Sequence, residues 1–129
     1  MKTAQISIEF LILTGFLLTS FVIFFLVIQE NLSDKISQRI DAEILEIAKT
    51  IRLEIELAYS SSDGYTRHFT IPKAIYSGEY RVNLTNEFVF VESIDKSHIV
   101  SLSVKNNTGQ VIIGENTIKK ENGIVKINQ

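Results

Sequence analysis

Cysteine is absent from the 129 residues, and so is tryptophan. Without cysteine there is no disulfide framework, no thiolate metal site and no cysteine nucleophile. Proline occurs once, at Pro72, and aromatics make up only 9% of the chain. The formal net charge is −2, so no general attraction to nucleic acid is expected. Two histidines, His68 and His98, are the only imidazoles, and neither has metal-ligand spacing around it, although Asp95 precedes His98 by three residues. Both are expected to be ordinary strand-surface residues. No G-x-S-x-G, phosphate loop, H-E-x-x-H or dinucleotide fingerprint occurs, so no catalytic site, metal or cofactor is expected.

What is present is unevenly spread. Five of the eight phenylalanines, Phe10, Phe16, Phe21, Phe24 and Phe25, fall in the first 25 positions. From Phe10 to Ile28 there is no charged residue. At 1.5 Å per residue this run spans roughly 30 Å, the thickness of a bilayer core. Glu9 stands at its edge, where a carboxylate is expensive: acidic residues at a membrane centre cost ~2.5–3.5 kcal/mol, and less near the interface. Met1–Ala4 is too short for a general secretory leader, and no A-x-A-like site follows the apolar run. The large polar body places the N-terminus inside and the remainder outside.

Beyond the run, apolar residues recur at Leu32, Ile36, Ile40, Ile44, Ile47, Ala48, Ile51, Ile55 and Ala58. Spacings of three and four predict an amphipathic helix. Neither proline nor glycine interrupts Phe16 to Ser62, so one helix of roughly 80 Å from about Gln5 to Tyr59 is expected. Ser60–Gly64 should end it, with Gly64 free to turn left-handed.

After Gly64 the period becomes two. Alternating runs at Tyr65–Ile71, Glu79–Thr85, Phe88–Glu92 and His98–Val104, with shorter pieces at Val111–Ile113, Asn116–Lys119 and Ile124–Ile127, predict an antiparallel meander of five to seven strands. Asn106–Gly109 (NNTG) is expected to be an exposed turn. Some 70 residues make a thin core alone, and the Ile36–Ala58 stripe is the natural surface for the sheet to pack on. The fold class is therefore α+β, a long N-terminal helix with a C-terminal antiparallel sheet. Three N-x-[ST] sequons, at Asn31, Asn83 and Asn106, are candidate glycan acceptors, with Asn106 the most exposed by expectation.

The stretch Gln5-Ile6-Ser7-Ile8-Glu9-Phe10, followed by an apolar helix, resembles the class III signal peptide of archaeal type IV pilin-like proteins, whose pattern is Q-x-S-x-E-F. Gln5, Ser7, Glu9 and Phe10 fill all its defining positions. Gly64-Tyr65, Phe69, Ile71-Pro72, Ile75, Tyr80 and Val82 also look like the opening of the head domain in that family. The resemblance implies a leader, residues 1–4, removed by a prepilin peptidase between Ala4 and Gln5. It implies a transmembrane and polymerisation helix at 5–28, an amphipathic continuation at 29–60 and a β head at 61–129. Gln5, Glu9 and Phe10 become assembly residues. The implied partners are other pilin subunits, the peptidase, the pilus assembly platform with its ATPase machinery, and the membrane before assembly. The localisation is the cell membrane first and a surface filament afterwards, for adhesion. The family often has glycine before the cut with a basic residue beside it; here Ala4 and Thr3 stand there, and Lys2 is one place further off. A second reading is a membrane-anchored cell-surface binding protein that does not polymerise.

Overall fold

The computed structural model describes the backbone from Lys2 to Gln129 and the side chains from Ser7 onward. A single helix, α1 (Lys2–Ser60), is followed by seven strands: β1 (Thr66–Ile71), β2 (Tyr80–Leu84), β3 (Phe88–Ser93), β4 (Ile99–Ser103), β5 (Asn107–Gly109), β6 (Gly114–Glu121) and β7 (Ile124–Ile127). The chain divides into two compact units, with the boundary between Ser37 and Gln38. This is the α+β architecture expected of a long N-terminal helix with a β head, and it is consistent with a pilin-like fold.

Within the second unit, the helical spacing becomes a buried seam. Ile44, Ala48, Ile51, Ile55 and Ala58 are completely buried, and Ile40 and Ile47 nearly so. The opposite face of the same helix is charged or open, as at Arg39, Glu46, Lys49 and Arg52. Arg39–Glu43 and Arg52–Glu56 pair across one turn at 3.1 and 3.0 Å. The strands supply the rest of the core. One sheet, in the order β1-β6-β7-β5, contributes Ile71, Ile118, Val125 and Ile127. The other, β2-β3-β4, contributes Tyr80, Leu84, Val89 and Val91. In the second half of β1 and along β3 the buried residues alternate with more exposed ones, because a pleated strand turns every second side chain the same way.

Polar groups from four places in the head lock onto the helix around this seam. Tyr76 N donates to Glu43 Oε2 at 2.6 Å, and the Arg39 guanidinium lies 4.6 Å from the Tyr76 ring centre. That backbone hydrogen bond, with help from Arg39, holds the Glu43 carboxyl below its ordinary range. From β1, Arg67 Nε approaches Glu54 Oε2 at 3.4 Å, an ion pair without hydrogen-bond geometry. His98 Nδ1 is 2.6 Å from Asp41 Oδ1. Lys120 of β6 donates to the carbonyls of Tyr59 and Ser61 at 2.7 and 2.8 Å. The last turn of α1 has no basic residue of its own, so Lys120 supplies the cation that its exposed carbonyls favour. Gly64 then turns the chain at φ 91°.

Four expectations change. The sheet is not wholly antiparallel, since β5 pairs with β7 in parallel, at Asn107–Gly109 against Val125–Ile127. Within NNTG, Asn107–Gly109 is therefore a short strand rather than an exposed turn, and only Asn106 stands exposed, at a bend before it. Asn107 is buried, and its Nδ2 reaches the carbonyls of Lys105, Thr85 and Asn86 at 2.9, 3.2 and 3.4 Å. A residue that favours turns by bonding nearby backbone does so here across 22 residues of chain. Gly109 permits the close parallel pairing: a Cβ there would sit 1.9 Å from Ile127 O. Val111–Ile113 forms no strand, because one side chain stands in for a partner strand: buried Asn116 accepts from Ile112 N and donates to Ile112 O, both at 2.8 Å.

His98 is the fourth correction. It is not an ordinary surface residue, since its side chain is only 13% exposed and clasps α1 through Asp41. It follows a turn in which Asp95 accepts from Ser93 Oγ, Ser97 Oγ and Ser97 N. Those hydrogen bonds, led by that of Ser93, pull the Asp95 carboxyl down to about 2. At the other extreme, burial pushes the Tyr80 phenol up to about 12, and its hydroxyl donates to Pro72 O.

Two outcomes follow for stability. Ile51→Ala, at a fully buried seam position, should cost ~2–5 kcal/mol, whereas Leu53→Ala, at a position 63% exposed on the same helix, should stay within about 0.5 kcal/mol. Urea unfolding of the full chain in detergent measures both. Asp95 has a lowered pKa in the folded chain, so its contribution is complete above the unfolded carboxylate value of ~3.9 and is lost as pH falls towards about 2. Melting curves between pH 5 and 2, a range taken from about those limits, should therefore fall less steeply for Asp95→Asn than for the parent chain.

Candidate assembly segment

The segment singled out by sequence begins α1. The side chains of Ala4 and Gln5, and with them the expected cleavage site, lie outside the described residues. Ser7, Glu9 and Phe10 are all exposed, Phe10 at 70%. No ion pair involving Glu9 occurs among the described residues.

From Phe10 to Ile28, every large hydrophobic side chain is exposed, by 47% at Ile28 up to 72% at Leu11. The most apolar 18-residue window of the helix has a mean hydropathy of 2.8 and none of it is buried. One helix is thus long and apolar enough to cross a membrane. An apolar surface of this extent on one element is far beyond the scattered exposed hydrophobics of an ordinary soluble surface.

Of the three hydroxyl side chains in this stretch, Thr14, Thr19 and Ser20, the two threonines are handled in one way. Thr14 Oγ1 donates to Phe10 O at 2.8 Å, and Thr19 Oγ1 donates to Gly15 O at 2.9 Å. Each hydroxyl is satisfied by the carbonyl four residues back, so neither needs water. At the far edge, Asn31 Nδ2 donates to Val27 O at 2.7 Å. Adding a Cβ at Gly15 would meet nothing within 4 Å, so this glycine leaves a shallow, unfilled place on the helix surface. Small residues of that kind let helices approach closely in an apolar medium. Among the described residues, Glu9 is then the one formal charge at the head of a surface otherwise matched to lipid or to other apolar helices.

The remaining sequence-predicted residues lie elsewhere. Asn83 is exposed on β2, and Asn106 is exposed at a bend just before β5. The hydrogen bonds of Asn107 to Thr85 O and Asn86 O bring the Asn83 and Asn106 sequons together. His68 Nδ1 lies 3.0 Å from Thr117 Oγ1 on the sheet surface. Among the described residues, no group of His, Asp and Glu is arranged to hold a metal ion.

A cleft of about 460 Å³ opens between Arg39–Thr50 of α1 and the Pro72–Tyr76 segment. Two of its three charged groups are committed, Arg39 to Glu43 and Tyr76, and Glu43 to the Tyr76 amide, while Glu46 stands exposed beside them. It therefore works as a joint that fastens the β1–β2 connection to the helix. Sequence reasoning missed the Asp41–His98 clasp and an exposed aromatic pair, Phe88 and Phe90 on β3, with ring centres 6.1 Å apart. Alternation in β3 signalled that one face would be aromatic, but not what would lie opposite. Comparison of the chain with protein-family models, with curated proteins and with solved structures gives no match.

Proposed function

We propose that the chain is a structural subunit of an archaeal type IV pilus-like surface filament, held in the membrane by its N-terminal helix and assembled through that same helix. The observation that carries the proposal is the bare apolar surface from Phe10 to Ile28, with Glu9 at its head. The Thr14 and Thr19 hydroxyls bond within the helix, so this part of the surface suits lipid and packed helices equally. The Q-x-S-x-E-F pattern at Gln5–Phe10 supports the same reading from the side of processing.

In this reading, cleavage after Ala4 creates an α-amine at Gln5 with a pKa of ~7.7–8.0, cationic at neutral pH. Lateral packing of apolar helices forms the filament core. The Gln5 amine of one subunit then meets Glu9 of a neighbour in apolar surroundings. Breaking a buried pair by removing one partner costs ~3–5 kcal/mol, whereas the intact pair adds little net stability. The pair therefore selects the axial register. It requires a free amine: cyclisation of Gln5 to pyroglutamate removes the cation. The β heads face outward and carry the adhesive surface. A membrane-anchored binding protein that never polymerises would use the same anchor, but would give Glu9 no partner.

Glu9 separates the two. Glu9→Ala should leave removal of Met1–Ala4 intact while reducing the chain recovered in sheared filaments by more than about tenfold, the effect of only ~1.4 kcal/mol per subunit. N-terminal sequencing of the membrane fraction and immunoblotting of sheared material read the two steps separately. Equal recovery of Glu9→Ala and the parent in sheared filaments removes the register role. Absence of the parent chain from sheared material removes the filament.

A further inference from the structure

We propose that Asn83 carries an N-linked glycan whose first sugar rings lie on Phe88 and Phe90, covering the outer face of the β2–β3–β4 sheet. This rests on the reading that the head lies outside the membrane. The antiparallel register places Asn83 directly opposite Phe90. Both side chains are exposed, so they share the outer face of the sheet. Directly opposed residues have Cβ atoms about 4.5–5.5 Å apart, and the diagonal neighbour, here Phe88, is ~7–8 Å away. A sugar attached to the Asn83 amide therefore starts within one ring width of both phenylalanines.

The face has the chemistry of a sugar platform. Phe88 and Phe90 are 41% and 36% exposed, and their rings are tilted 41° to each other. On their far side the register puts Ser101 opposite Phe90 and Ser103 opposite Phe88, both exposed. Two aromatic rings are thus bordered by one amide and two hydroxyls. A pyranose has a C–H face that is apolar and a rim of hydroxyls, and it matches this arrangement part for part. β2 is the edge strand of its sheet, so no further strand obstructs a chain of sugars leaving Asn83. The other sequons lack this setting. Asn31 is on α1 directly after the apolar run with its amide on Val27 O, and Asn106 sits at a bend outside any strand.

The transfer is a substitution without redox change. The Asn83 amide nitrogen attacks the anomeric carbon of a lipid-linked oligosaccharide. A C–N bond forms, the C–O bond to the lipid pyrophosphate breaks, the amide loses one proton, and the lipid pyrophosphate leaves. In the folded head, the Thr85 hydroxyl of this sequon donates to Phe88 O and accepts from Phe88 N, both at 3.0 Å. The group that the transferring enzyme must read is committed to the β2–β3 turn. Transfer therefore precedes closure of that turn, and the glycan then folds down onto the rings.

The test uses the full chain purified from cells that N-glycosylate surface proteins. Glycopeptide mass spectrometry should find sugar mass on Asn83. Asn83→Gln should lower the melting temperature by about 4 °C or more, the shift that a lost stacking contact gives in a domain of this size. In a Phe88→Ser/Phe90→Ser background the same substitution should produce no further shift. Thr85→Ser, which keeps both sequon and turn hydroxyl, should retain the sugar. An unmodified Asn83 overturns the proposal, as does a shift on Asn83→Gln that is undiminished without the two rings. Protease access to the head in intact cells separates the two readings. An accessible head with unmodified Asn83 sinks this inference alone, and a shielded head sinks the outward placement on which it rests.

Discussion

From Ile40 to Ala58 the apolar seam of α1 is covered by the chain's own strands; from Phe10 to Ile28 the large apolar side chains are bare. Both parts belong to one helix, and they differ in what the sequence provides to cover them. The second part has two small sheets, neither able to form an adequate core alone, each turning one apolar face inward. The first part has nothing among the described residues. Water is an unfavourable surrounding for it, so a bilayer or other apolar helices must complete the structure. The filament reading supplies both in sequence, with lipid before assembly and neighbouring subunits after it. In that reading, Glu9 is the element that only the second setting uses.

The head has a different economy. Its seam is almost entirely isoleucine, valine and alanine, which pack well but carry little directional information. Direction comes from the polar ties around it. Glu43, Asp41, Glu54 and the end of α1 each receive a partner from a different part of the β region: Tyr76, His98, Arg67 and Lys120. With no disulfide available, these ties fix where each strand sits along the helix. Most are half-exposed, so each contributes modestly. Their joint effect is one register of head on helix.

The helix was legible in the sequence because a spacing of three and four needs no knowledge of partners. The same holds for the alternation in β2 and β3. What was not legible depended on distant residues. Asn106–Gly109 has the composition of a turn, yet Asn107 spends its amide on the carbonyls of Thr85 and Asn86, and the strand it begins pairs with Val125–Ile127. Val111–Ile113 has the composition of a strand, yet its partner is a single side chain, Asn116. His98 found its carboxylate 57 residues away on α1, not in the nearby Asp95. Likewise, the Gln5–Phe10 motif was legible as a pattern, whereas the opposition of Asn83 and Phe90 is set by a turn register that composition does not reveal.

Crosslinking tests the central claim, that copies of this helix cover one another, most directly. The chain has no cysteine, so single cysteines placed in turn from Phe16 to Phe25 are the only thiols present. A bifunctional thiol reagent spanning roughly the 8–10 Å between packed helix axes then reports subunit contact. The account predicts covalently linked multimers in sheared filaments for a periodic subset of these positions, and only monomers for the same chains in membranes before assembly. Monomers alone at every position, in both fractions, would contradict it.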